Sequence, residues 1–251
     1  MRRWISTACL AAVVMSLVAA DTPPARPATG LAKMGVFVDK EKAEIALEGA
    51  IVFRADDILE YFCCLKGTAE HESIIAVTAN PLAVRLALML PPFRLKPGSV
   101  VKWDDRVKPP TGPTILVFAE YKDPKTGKTV RVRAEDWVML SSKDPITGKW
   151  TRTPMRKTGF VFAGGSFFEN PETKEKFFLA KDDGAIVTVF NRITSVIDNP
   201  QKEGATDEFW YPNIPRIPPL GTKVRVILKP APQPTTRPTS RPAARSGKGQ
   251  E

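Results

Sequence analysis

Apolar runs of about strand length recur along the chain, separated by short clusters of Asp, Asn, Pro and Gly, and this pattern predicts a β-rich fold. The runs occupy 44–53 (EIALEGAIVF), 59–65 (LEYFCCL), 74–78, 114–121 (TILVFAEY), 160–162, 177–179 and 185–190. Two further segments alternate with period two. In 129–133, Val130 and Val132 oppose Arg131 and Arg133; in 223–228, Val224, Val226 and Leu228 oppose Lys223, Arg225 and Ile227. Such alternation marks a half-buried strand. Gly49, inside the first run, predicts a bulge or bend.

One segment follows a helical pattern instead. Asn80 is placed to cap it, Pro81 suits its first position, and LAVRLALML (82–90) follows before Pro91 and Pro92 stop it. It is apolar nearly all round except at Arg85, which predicts burial between sheet and surface. Short helical turns are expected at 134–137 and 193–197. Hairpin loops are expected at 123–128 (DPKTGK) and 144–149 (DPITGK), with a looser copy at 170–175 (NPETKE), because Asp or Asn before Pro initiates a turn and Gly accepts the left-handed conformation. These loops hold too few carboxylates for calcium. Asp182-Asp183-Gly184 is expected to form a fourth hairpin turn. The fold class is therefore α+β: a single domain of predominantly antiparallel strands, one buried helix at about 80–90, and short helical turns.

The ends read differently. Residues 1–20 combine Arg2 and Arg3, an apolar stretch and small residues at Val18-Ala19-Ala20, the pattern of a secretory signal peptide cleaved after Ala20. Residues 21–30 form a Pro-rich spacer, 31–229 the β-rich domain, and 230–251 a Pro/Thr/Arg-rich tail with nothing apolar enough to bury. An extracytoplasmic location, periplasmic or secreted, follows as an expectation, with no membrane span after cleavage. About half of the net charge of +10 lies in these ends, so the domain is only mildly basic and no nucleic-acid partner is expected. The basic tail suits an acidic envelope polymer or protein.

A single His and three Cys narrow the chemistry. Multi-His metal sites and four-Cys clusters are excluded by count, and no cofactor and no metal site is expected. The first candidate is Glu70-His71-Glu72, where a carboxylate beside the imidazole would favour its charged form for acid–base work. On a strand only one Glu would share a face with His71. The competing reading is structural: Glu70, His71 and Glu72 form a clasp at the strand beginning near Ser73, and His71→Ala lowers the melting temperature by several degrees. Cys63 and Cys64 are neighbours, too close for an unstrained mutual disulfide, and are expected to be small buried side chains. In AGGSFF (163–168) the position two after Ser166 is Phe168 rather than the Gly of a nucleophile elbow. A tight turn that brings Ser166, Phe167 and Phe168 to a binding surface is the simpler reading.

The ordered segments LEYFCCLKGTAEHESIIAV (59–77), the helix from Pro81, RAEDWV (133–138), FVFAGGSFF (160–168) and KDDGAIVTVFN (181–191) resemble the YdjY-domain family over roughly 35–229. The resemblance implies a secreted or periplasmic bacterial protein whose family has no established activity, and it carries no catalytic residues. Some members are linked by name to ferredoxin-like iron–sulfur proteins; this chain departs from that label, with two adjacent Cys after residue 20. Two functions stand as expectations. One is a non-enzymatic binding or structural module of the envelope, acting through the 160–168 turn and the tail. The other is an acid–base or metal-assisted enzyme centred on His71 with Glu70 and Glu72.

Overall fold

A computed structural model describes residues 30–102, 105, 108–206 and 208–232. The segment expected to be a signal peptide (1–20), nearly all of the expected spacer (21–30) and most of the expected tail (230–251) lie outside these residues. Fourteen strands and three helices are described. The strands are β1 (Val36–Asp39), β2 (Glu44–Ile51), β3 (Tyr61–Leu65), β4 (Ser73–Val77), β5 (Thr114–Lys122), β6 (Thr129–Arg133), β7 (Val138–Lys143), β8 (Trp150–Pro154), β9 (Phe160–Val161), β10 (Phe167–Glu169), β11 (Lys176–Phe178), β12 (Ala185–Thr188), β13 (Trp210–Pro212) and β14 (Lys223–Pro230). The helices are α1 (Gly30–Lys33), α2 (Pro81–Met89) and α3 (Ala180–Asp183). The protein is α+β and mainly β.

Nine strands form one mixed sheet in the order β12-β3-β4-β2-β14-β5-β6, with β1 paired to β2 and β9 to β5. Its centre is antiparallel: β14 lies between β2 and β5, with Val226 opposite both Leu47 and Ala119. Alternation sorts the two faces as the period-two pattern requires. Ile115, Val117 and Ala119 of β5 are fully buried, while Leu116, Phe118 and Glu120 are half-buried. The outer face carries ion pairs, with Arg225 on Glu120 at 3.3 Å and both Arg131 (2.9 Å) and Lys229 (3.1 Å) on Glu44. Burial raises the Glu44 carboxyl, but the two cations outweigh it and hold the group below its usual range.

The hairpin loops form as turn chemistry dictates. In 123–128 the Asp123 side chain accepts the N–H groups of Lys125 and Thr126, and Gly127 takes φ +66°. Residues 144–149 repeat this with Asp144 and Gly148. In 170–175 Asn170 has the same role, and Lys174 is forced to a positive φ where the other loops have Gly. α2 starts as its sequence predicts, with Asn80 Oδ1 accepting from Leu82 N–H (2.9 Å) and Ala83 N–H (3.4 Å). It buries Ala83, Val84, Ala87 and Leu88 in the core, yet leaves Leu86, Met89 and Leu90 exposed, so it is buried on one face rather than all round.

Four local expectations are corrected. Gly49 is no bulge: its register with Val77 and Val224 is unbroken, and glycine is required because a Cβ would lie 2.4 Å from the Ala76 carbonyl of β4. Asp182-Asp183-Gly184 is no hairpin turn but the end of α3, with Gly184 as a left-handed cap (φ +73°). Residues 193–197 form no helix: a single turn, closed by Ser195 N–H on the Arg192 carbonyl, leads into the bridges of Ile197 with Val187 and Asp198 with Val161. Finally, β3 and β4 are parallel, Tyr61 opposite Ser73, although only 66–72 connects them. Parallel neighbours usually need about a dozen residues or more. Here the return is made by a 3-10 turn at Glu70–Glu72, so these residues are not on a strand.

Candidate functional site

The tight return between β3 and β4 decides what Glu70, His71 and Glu72 can do. Gly67 takes φ +84° to begin it, and Glu70 Oε1 accepts the Gly67 N–H at 2.7 Å. Backbone closes the rest, with Lys66 N–H on the Val77 carbonyl and Glu60 N–H on the Glu72 carbonyl. His71 takes no part. Its side chain is 76% exposed and its Nε2 lies 3.1 Å from Glu72 Oε1. The clasp therefore falls to Glu70 and the backbone, and the expected destabilisation is corrected accordingly. An exposed ion pair contributes at most about 1 kcal/mol, so His71→Ala should shift the melting temperature by less than about 2 °C. Thermal unfolding of the two proteins measures this; a drop of several degrees would restore His71 to the clasp.

The turn at 163–168 is built by Gly164 and Gly165, both left-handed, at positions where a Cβ would strike Pro97 and Arg85 or the Phe178 ring. It launches the β10–β11 hairpin, in which Phe168 opposes Phe177 and Phe167 opposes Phe178. Phe167, Phe168 and Phe177 are about half exposed. Phe178 is buried and stacks at 4.9 Å on Phe167. Arg85 ties α2 to this hairpin: its guanidinium donates to the Gly164 carbonyl and lies 5.3 Å above the Phe167 ring. Ser166 is spent on structure, its Oγ donating to the Ile193 carbonyl at 2.7 Å. The hairpin thus presents Phe167 on the face held by Arg85, and Phe168 with Phe177 on the other.

Cys63 and Cys64 are free and fully buried within β3. Burial pushes both thiols up, reinforced for Cys63 by Cys64, which leaves them protonated and unreactive. Two thiols on adjacent residues of one buried strand do not fit an iron–sulfur cluster, which needs four ligands. Among the described residues no group of three His, Cys, Asp or Glu side chains is placed to hold a metal ion.

Sequence reasoning missed two arrangements. The first is a buried polar network around Asp198, just after the segment 193–197 expected to be a helical turn. Thr188, Asn191, Ser195, Asp198 and Asn199 are all fully buried. Asp198 Oδ1 receives Asn191 Nδ2 (2.9 Å) and the Asn199 N–H (2.8 Å) and contacts Thr188 Oγ1 at 2.7 Å. Thr188 Oγ1 also contacts Ser195 Oγ at 2.5 Å, and Ser195 Oγ donates to the Ile197 carbonyl at 3.0 Å. These three hydroxyl contacts require three protons, and the two hydroxyls hold two. Thr188 donates to Asp198 Oδ1 and Ser195 to the Ile197 carbonyl, so the 2.5 Å approach of the two hydroxyls has no proton of its own. Desolvation raises the Asp198 carboxyl to about 7 against the hydrogen bonds from Thr188, Asn191 and Asn199 that lower it. The sequence signal was the alternation of polar and apolar residues in TVFNRITSVIDN (188–199), too polar for an ordinary strand and too apolar for a loop.

The second lies on the three-stranded sheet β13-β7-β8. Lys143 opposes Trp150, Ser141 opposes Arg152, and Met139 opposes both Pro154 and Tyr211. One face of this sheet therefore gathers Ser141, Trp150, Arg152 and Tyr211 around a cavity of about 550 Å³, completed by Glu208. The opposite face turns Trp210 into the core.

A mainly-β protein on a nine-stranded mixed sheet, with a buried polar staple and two aromatic surfaces, is the class these features define. Within it the chain belongs to the YdjY domain family, whose domain matches residues 36–229. No curated protein and no solved structure matches the chain.

Proposed function

We propose that the chain is an extracytoplasmic binding module of the bacterial envelope, in which residues 31–229 act as one domain and the β10–β11 hairpin is the partner-facing surface. The observation that carries the reading is the hairpin itself. Three phenylalanines about half exposed on one short hairpin, Phe168 paired with Phe177 on one face and Phe167 on the other, leave apolar surface open of the kind that marks interaction sites. The partner is a polymer or protein of the envelope. No helix among the described residues is long and apolar enough to cross a membrane. The acid–base alternative draws little support from the geometry: His71 is open to solvent with Glu72 beside it, and Glu70 is committed to Gly67.

The test uses the full chain expressed in bacterial cells. Recovery outside the cytoplasm with a mass lacking residues 1–20, and sedimentation with washed envelopes, are the expected results for the wild type. The Phe168→Ser/Phe177→Ser variant should keep its thermal stability, since exposed substitutions change stability by about 0.5 kcal/mol each, and should lose envelope association at least about tenfold. Equal sedimentation of both proteins would remove the hairpin from the reading; an intact N-terminus in the cytoplasm would remove the location.

A further inference from the structure

We infer that the outer face of the β13-β7-β8 sheet is a binding site for an uncharged glycan, in which Trp150 presents the stacking surface, Tyr211 braces Arg152, and Ser141, Glu208 and Arg152 read the hydroxyl groups. The site is separate from the β10–β11 hairpin.

The argument begins with Trp150. It is the first residue of β8 and is 54% exposed, an unusual cost for the largest apolar side chain unless something covers it. Phe209 lies beside its indole, with ring centroids 6.2 Å apart and the planes tilted by 43°, which braces the ring while about half of it stays open to solvent. Across the cavity the Arg152 guanidinium stacks 3.7 Å from the Tyr211 ring centroid and pairs with Asp56. This fixes the Arg152 fork and the phenol in one orientation before any ligand arrives, which reduces the entropy lost on binding.

The polar groups select the ligand. Among the described residues, neither the Ser141 hydroxyl nor the Glu208 carboxylate has a protein hydrogen-bond partner, although both line the cavity. A nearly buried hydroxyl (Ser141 is 7% exposed) and a free carboxylate offer one donor and several acceptor sites beside an aromatic face. A pyranose ring has the complementary construction: an apolar face of C–H groups for the indole, and hydroxyls around its rim that both donate and accept. Charge draws no acidic polymer in: Arg152 is already matched by Asp56, and Glu208 in the lining stands against Lys143, which opposes Trp150 on the same face. The cavity, about 550 Å³ and open along the sheet, admits a short run of sugar units rather than a single enclosed ring.

Isothermal titration of the purified chain with cellohexaose and with chitohexaose, both uncharged, tests the site, with polygalacturonate and trilysine as charged comparisons. Pelleting with insoluble cellulose and chitin separates a wall polymer from a soluble oligosaccharide as the source of the ligand. At least one neutral hexasaccharide should bind saturably. Trp150→Ala should weaken it by at least about tenfold, Trp150→Phe should recover part of the loss, and Glu208→Gln should weaken it less than Trp150→Ala, all with melting temperatures unchanged. Silence with both hexasaccharides, equal binding by Trp150→Ala, or binding confined to polygalacturonate or trilysine would each overturn the proposal. The Phe168→Ser/Phe177→Ser variant should bind the hexasaccharide as the wild type does, so failure here and failure of the hairpin reading are distinguishable.

Discussion

Asp198→Asn is expected to leave the protein folded and to flatten its pH dependence, whereas Asp198→Ala is expected to cost roughly 3 kcal/mol or more at pH 5. The direction follows from linkage. The native carboxyl is raised to about 7 and the unfolded one stays near its ordinary 3.8. Below pH 3.8 both states hold the proton and the contribution is fully present. As pH rises through the window from 3.8 to about 7, the unfolded chain releases its proton while the native chain retains it, so stability falls. At 1.36 kcal/mol per unit, the full loss is on the order of 4 kcal/mol, complete above about pH 7. Asparagine keeps an acceptor for Thr188, Asn191 and Asn199 but carries no titrating proton, so it should lie within about 2 kcal/mol of wild type at pH 5 and at or above it at pH 8. Alanine removes the acceptor altogether and leaves the Asn199 N–H buried without a partner. Urea unfolding of the three proteins at pH 5, 6.5 and 8 decides it. A wild-type stability that is level across this range would show that Asp198 is ionised throughout.

The same segment shows where sequence reading stops. Turn chemistry acts over two to four residues and was legible: Asp123 and Asp144 hold their loops as the DPxTGK pattern requires, and Asn80 caps α2. Strand identity was legible where one face meets solvent, as in β5 and β14, because the alternation is local. What lay beyond local pattern depended on distant neighbours. Gly49 is explained by the Ala76 carbonyl of another strand, and Asp198 by hydroxyls on Thr188 and Ser195. The parallel pairing of β3 with β4 contradicts the short connection between them, and only the sheet's register reveals it. Of the candidate surfaces, Phe167 and Phe168 were legible from adjacent aromatics following two glycines. The Trp150 face was not, because Ser141, Trp150, Glu208 and Tyr211 come from three separated stretches that only strand pairing brings together.

Glu135→Ala should cost about 3–5 kcal/mol, the penalty for breaking a buried ion pair by removing one partner. The motif RAEDWV folds back as a 3-10 turn between β6 and β7, burying Ala134, Glu135 and Trp137 together. Glu135 is fully buried, and its carboxylate receives Arg133 Nε at 3.0 Å, the second Arg133 nitrogen, and the Gly159 N–H at 3.0 Å. That last bond joins the turn to the start of β9, which pairs with β5. Without the carboxylate, Arg133 keeps only its place over the Phe118 ring, and the Gly159 N–H is left buried and unpaired. Trp137, packed 5.7 Å from Tyr121 and 6.1 Å from Phe62, would lose the turn that positions it. Removing both charges is a different perturbation: an Arg133→Met/Glu135→Leu double variant avoids the uncompensated buried charge and should be more stable than Glu135→Leu alone. A double-mutant cycle by chemical unfolding measures the difference. If Glu135→Leu and the double variant unfold at the same denaturant concentration, the carboxylate acts through Gly159 rather than through Arg133.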